Sequence, residues 1–154
     1  MRGLDKTIKE HPFFADLEPS HCELIAGCGR NVRFDAGQYL FHEGDPADQF
    51  YLLRHGRVVF EITVPGRGPT RFQTLDAGQI AGISWLVPPY RWNYDAKAVE
   101  LTRAIALDAK CLRGKCEEDH HLGYELMKHF VPELVRRLHE TRLQMLDVYG
   151  TPAA

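Results

Sequence analysis

Apolar residues recur at helical spacing at both ends of the chain and at two-residue spacing in between. Residues 4–11 read as a short amphipathic helix stopped by Pro12. Ser20 and Glu23 form a capping-box pattern that opens a second helix, carrying Leu24 and Ile25 and ending at Gly27. From Val32 the spacing changes. Val32 and Phe34 alternate with polar neighbours, and apolar bursts at Tyr39-Leu40-Phe41 and Phe50-Tyr51-Leu52-Leu53 are separated by the Gly44-Asp45-Pro46 turn. After His55-Gly56, the positions Val58, Phe60, Ile62 and Val64 alternate strictly, which predicts a half-buried strand. Pro65-Gly66-Arg67-Gly68-Pro69 predicts a hairpin loop, with Phe72 and Leu75 on the return strand. Two more strands follow at 96–99 and 101–107. Short strands at such even spacing predict a closed or nearly closed antiparallel unit.

One four-residue pattern occurs twice. Asp35-Ala36-Gly37-Gln38 returns as Asp76-Ala77-Gly78-Gln79, each time after one strand and before another. Two matching corners are what a double-wound β-roll needs, with glycine taking positive φ at each bend. Beyond the strands, Asp108 caps a helix to about residue 117, and residues 120–149 return to helical spacing. Tyr124, Met127, Val131, Leu134, Leu138, Thr141, Met145 and Val148 recur in steps of three and four, a heptad seam that predicts a two-stranded coiled coil. Pro132 lies within the seam and is expected to kink the helix or split it. The predicted architecture is mainly β, a jelly-roll-like antiparallel β-roll at 29–107, with N-terminal helices at 1–28 and C-terminal helices at 108–149. The whole chain reads as one domain.

Composition narrows the partners. A chain of 154 residues, 44% hydrophobic and 26% charged, is long enough for a real core, and its net charge of −2 exerts no bulk pull on nucleic acid or anionic lipid. No secretory leader and no membrane-length apolar run is visible, so a cytoplasmic protein is expected. Cys22, Cys28, Cys111 and Cys116 lack zinc-knuckle spacing, and in that compartment buried thiols rather than disulfides are expected. His120 and His121 with Cys116 lie at helical spacing and read as solvated surface, so no metal site is expected. A His-x-His metal motif is absent, no nucleophile–base pair or glycine-rich nucleotide loop is recognisable, and an enzyme is not expected.

The stretch Gly37-x-x-Leu40-Phe41-x-Glu43-Gly44-Asp45-x-x-Asp48-x-x-Tyr51-x-Leu53-x-x-Gly56-x-Val58 combines a glycine turn, an acidic loop and a tyrosine-bearing strand. With the element order around it, from Pro12 to Tyr149, it resembles the cyclic-nucleotide-binding domain of the catabolite-activator and Fnr type. The resemblance implies a phosphate-binding cassette after the second corner. There, a glycine turn opens a short helix whose N–H groups hold a cyclic phosphate, a glutamate accepts from the ribose, and an arginine neutralises the charge. The matching residues here are Gly78, Gln79, Ile80, Ala81 and Gly82, with Gln79 at the glutamate position and Arg91 as the phosphate arginine. Trp92 and Asn93 follow the arginine, and Trp92 replaces a small residue. Thr141 and Arg142 match the dimer-helix positions that reach the purine.

The implied function is a non-catalytic small-molecule sensor, homodimeric through its last helix, taking a cyclic nucleotide or another phosphate-bearing ligand and passing the signal to a partner protein. Two alternatives stand beside it. Trp85, Trp92 and their neighbours either stack on a planar ligand or fill the pocket, leaving a dimeric scaffold that binds no nucleotide. The family also contains DNA-binding regulators, but only Gly150-Thr151-Pro152-Ala153-Ala154 follows the last helix. No DNA-binding domain is expected unless the chain is a truncated regulator.

Overall fold

A computed structural model describes residues 3–149. Helix α1 (Leu4–Glu10), a 3-10 turn (Pro12–Phe14) and helix α2 (Pro19–Ala26) precede the strands. The start of α2 differs from the predicted capping box. Glu18 is the N-cap, Pro19 takes the first helical position, and Ser20 and Glu23 lie inside the helix. Proline suits that position because its missing N–H would be unpartnered there in any case.

Eight strands follow: β1 (Gly29–Phe34), β2 (Tyr39–Phe41), β3 (Gln49–His55), β4 (Arg57–Val64), β5 (Gly68–Asp76), β6 (Ile80–Ala81), β7 (Asp95–Ala98) and β8 (Thr102–Asp108). They form two antiparallel sheets, ordered β1-β8-β3-β6 and β2-β7-β4-β5. Chain neighbours such as β1 and β2 lie in different sheets, which is the double winding the repeated corners predict. Leu52 and Ile105 from one sheet and Phe60 and Ala96 from the other share a single apolar core.

The two corners are alike bond for bond. Gly37 and Gly78 both have φ of 93°. In each, the glutamine Oε1 accepts from the aspartate N–H, at 2.7 Å for Gln38 and 2.8 Å for Gln79. Each corner also exchanges backbone hydrogen bonds with a neighbouring strand, Gly37 and Gln38 with Ala98, Gly78 and Gln79 with Leu53. The β4 alternation is broken where it was expected to be clean. Val58, Val59, Phe60 and Glu61 are all buried and Ile62 is exposed, although β4 keeps a regular register with β7; the shift lies on β5, where Phe72 is the extra residue opposite Phe60 and Glu61. A bulge adds one residue to one strand of a pair, and here that strand is β5; β4 is covered on both faces from Val58 to Glu61.

Helix α3 (Ala109–Glu118) is capped by Asp108, whose carboxylate accepts from the Cys111 N–H at 2.8 Å. The expectation of four free thiols is overturned here. Cys28 and Cys111 are joined in a disulfide across 83 residues of chain, leaving Cys22 and Cys116 free. The Asp108 N–H donates to the Cys28 carbonyl, and Gly29 pairs with Leu107. The β1–β8 ladder thus brings the start of β1 and the first turn of α3 side by side.

Helix α4 (His120–Tyr149) runs unbroken through Pro132. Its buried residues are Leu122, Leu126 and Phe130, one stripe at four-residue steps that rests on the roll. The predicted seam lies on another face: Tyr124, Met127, Val131, Leu134, Leu138 and Met145 are each 45% exposed or more. The side chains of Val148 and Tyr149, and residues 150–154, lie outside the described residues. No helix among the described residues is long and apolar enough to cross a membrane.

Candidate functional site

Where α4 passes over β4 and β5, it leaves a cavity of about 350 Å³ against the roll. Phe60, Phe72 and Tyr94 give it aromatic walls, and Ile83 closes its floor. Phe60 and Tyr94 lie 4.4 Å apart, and Tyr94 meets Phe72 edge to face at 5.4 Å. Burial pushes the Tyr94 phenol up from its ordinary value, with Arg137 opposing the shift. The phenol is therefore neutral through the physiological range. Polar groups enter from Gln73, Asn93, Arg137 and Thr141.

Arg137 is the cation of this cavity, and it is already engaged. Its Nη2 donates to the Ile80 carbonyl at 2.6 Å, its Nε donates to Glu133 at 2.9 Å, and its guanidinium lies over the Phe60 ring. Arg137 and Glu133 side chains are only 11% and 13% exposed, so the pair sits where charge interactions are strong. It ties α4 to β6. A second tie lies nearer the end of the helix, where Gln144 donates to the Phe72 carbonyl at 3.1 Å.

The structure separates the predicted site residues into three groups. Asn93 and Thr141 line the cavity. The Thr141 hydroxyl donates to the Arg137 carbonyl one turn back, and the adjacent Arg142 is exposed on α4. The corner residues serve the fold. Gln79 closes its own turn, Gly78 makes the bend, and Ile80 and Ala81 pair with Leu52 and Tyr51 of β3. The third group is not part of the cavity lining. Arg91 is exposed and donates to the Gly44 carbonyl at 2.9 Å. Asp95, four residues on, accepts from the Glu43 N–H at 2.7 Å and lies 3.6 Å from the His42 ring.

Glycine followed by one residue and a short helix, the arrangement expected at Gly78-Gln79, occurs at Gly82-Ile83 before the 3-10 helix Ser84–Leu86. Gly82 has φ of 109°, and a β-carbon there would stand 2.4 Å from the Trp92 indole. Trp92 is 3% exposed and stacks on Phe41 with centroids 3.8 Å apart. It fills the hollow against the Gly82 backbone. Trp85 is fully buried, stacked on Phe50 at 4.4 Å, and its Nε1 has no hydrogen-bond partner. Arg113 holds the loop from outside, donating to the Trp85 carbonyl at 2.7 Å and covering the Tyr90 ring. Sequence reading missed Ile83, Tyr94 and Arg137 as cavity residues. The signal for Arg137 was Glu133 four positions earlier, a pairing distance on a helix.

The cyclic nucleotide-binding domain model matches residues 31–119. That span exceeds half the chain. The chain belongs to the cyclic nucleotide-binding domain family. The CRP-like cAMP-activated global transcriptional regulator of Mycobacterium tuberculosis is 22% identical over 148 residues, covering 96% of this chain and 64% of that protein. This domain thus spans just under two thirds of the length of that curated relative. A solved structure from Geobacter metallireducens, named as cyclic nucleotide-binding, superposes with a TM-score of 0.79 at 27% identity, covering 88% of this chain and 98% of that one. A cyclic nucleotide-binding domain from Methylobacillus flagellatus gives 0.82 at 20% identity, over 97% and 87%. The second likeness speaks to fold alone. Among the described residues, both indoles are buried, Trp92 against Gly82 and Trp85 against Phe50, and the arginine that lines the cavity stands on α4.

Proposed function

We propose that this domain is a non-catalytic sensory module whose ligand occupies the cavity between the roll and α4. The observation that carries the reading is the shared wall: aromatic rings come from the roll, while Arg137 and Thr141 come from α4. A molecule bound there touches both bodies and favours one position of the helix over another. Differential affinity for two helix positions is all that such a switch requires. The proposed output is a homodimer formed through the exposed seam of α4, in a cytoplasmic setting, read by a partner protein. The M. tuberculosis relative is described as cAMP-activated. A cyclic nucleotide or another phosphate-bearing small molecule is the first ligand class to test, with Asn93, Arg137 and Thr141 as its polar contacts.

A second reading, a dimeric scaffold that binds no nucleotide, draws on Trp92 against Gly82 and on the engagement of Arg91 with Gly44. The third, a regulator that reads DNA, draws only on the described activity of the longer relative. One experiment divides the first two. Cyclic AMP, cyclic GMP and a nucleotide panel are added to the purified chain, and the melting temperature is followed. A ligand of the native state raises it by mass action. The sensor reading requires a shift that Thr141→Val or Asn93→Ala reduces, or a small molecule that co-purifies and is identified by mass spectrometry. No shift, no co-purifying molecule and an Arg91→Ala protein that behaves like the parent would leave the scaffold.

A further inference from the structure

A different cluster lies at the head of α4, on the order of 30 Å along the helix from Thr141. Glu18, immediately before α2, His21 on the buried face of α2, and His121 in the first turn of α4 each offer one donor atom. These three atoms lie within 4.8 Å of one another. His21 is 4% exposed, and its Nδ1 is sealed from solvent without a hydrogen-bond partner. Its ring meets that of His121 edge to face at 4.8 Å. Glu18 holds the N-cap position yet makes no capping hydrogen bond, so its carboxylate is not committed to the helix. The His121 Nε2 lies 3.6 Å from the Glu125 carboxylate.

We propose that Glu18, His21 and His121 bind a divalent transition-metal ion of the zinc type. Buried nitrogen lone pairs are normally satisfied, and packing alone gives no reason to leave an imidazole unpartnered beside a second imidazole and a free carboxylate. Two imidazoles with one carboxylate are a zinc donor set that leaves the fourth position to water, and imidazole disfavours magnesium and calcium. Bonds of about 2.0–2.1 Å bring tetrahedral donors to roughly 3.4 Å from one another. His21 is fixed by its packing, while Glu18 and His121 are exposed and free to rotate onto the ion. Glu125 then acts as the outer carboxylate that orients a ligating imidazole. The ion staples α2 to the head of the helix whose far end lines the cavity. This donor set differs from the His120, His121 and Cys116 grouping visible in the sequence.

The test uses the full chain, stripped of metal by chelator and titrated with zinc by calorimetry, then with cobalt followed by visible absorption. One ion per chain is expected, with tetrahedral cobalt bands and no thiolate-to-cobalt charge transfer. His121→Ala and Glu18→Gln alter exposed side chains and keep the fold, checked by circular dichroism. Each should weaken zinc binding by more than the roughly tenfold that loss of an outer-shell partner costs. His120→Ala and Cys116→Ser should bind as the parent does. Zinc should raise the melting temperature of the parent and not of His121→Ala. Absence of binding, unchanged affinity in both ligand variants, or loss of binding in Cys116→Ser would each overturn the proposal.

Discussion

His11 shows how much one buried side chain settles locally. Its Nε2 lies 2.9 Å from the Leu53 carbonyl, and its Nδ1 accepts from the Phe13 N–H at 3.2 Å. A carbonyl only accepts and a backbone N–H only donates, so the ring is neutral with its proton on Nε2. Burial, the largest cause, holds its pKa below the usual 6.5. The unfolded chain therefore takes up a proton first as pH falls. Stability is full above about pH 6.5 and declines below it, until the folded-state ring also titrates. Urea midpoints measured at pH 7.5 and pH 5 should differ, and His11→Gln should reduce that difference; equal slopes in both proteins would dismiss the assignment. Gln79 makes the second residue-scale point. It was expected to meet a sugar, yet Gln38 makes the same turn-closing bond at the other corner. The repeat itself carried that information. Gln38→Ala and Gln79→Ala should each lower stability by about 0.5–1.5 kcal/mol, and ligand-induced melting shifts should be the same in Gln79→Ala as in the parent.

At the scale of elements, strand and helix positions were legible because each element carries its own period and its own turn residues. The break in the β4 burial pattern was not, since it depends on what covers each face of the strand and not on β4 alone. The start of α2 shifted for a similar reason. Ser-x-x-Glu matches a capping box, but Pro19 just before it fits the first helical turn better. The Cys28–Cys111 bridge is a contact between elements, invisible to spacing because 83 residues separate its ends. Under denaturing conditions, thiol titration should count two reactive groups, rising to four after reduction. Cys28→Ser should cost about 2–4 kcal/mol in urea unfolding, because closing a loop of that length restricts the unfolded chain. Four reactive thiols before reduction would remove the bridge. The pair that ties α4 to β6 behaves differently. Arg137→Ala strands the Glu133 carboxylate beside Arg136 alone and frees the Ile80 carbonyl. It should lower stability by about 1–3 kcal/mol, and Arg137→Lys should recover only part of that loss because lysine cannot form the planar fork.

For the whole molecule, α4 has two apolar faces with separate uses. Leu122, Leu126 and Phe130 rest on the roll, while the seam from Tyr124 to Met145 is left bare. Exposed side chains at heptad spacing are stabilised by a second helix with the same pattern. Val131→Asp with Leu138→Asp should convert a dimer to a monomer in sedimentation velocity without changing the circular dichroism, and a monomeric parent would remove the dimer from the proposed mechanism. The sequence by itself determined the order of elements, the two glycine corners, the long helix and its seam, because these follow from local period and backbone freedom. Only the tertiary structure decided which residues meet. It turned Gln79 into its own corner, sent Arg91 to Gly44, packed Trp92 against Gly82 and brought Arg137 to the cavity. It also joined Cys28 to Cys111 and set His21 beside His121. Those outcomes depend on which strands pair and how α4 lies across the roll, contacts between residues far apart in the chain that local spacing does not encode.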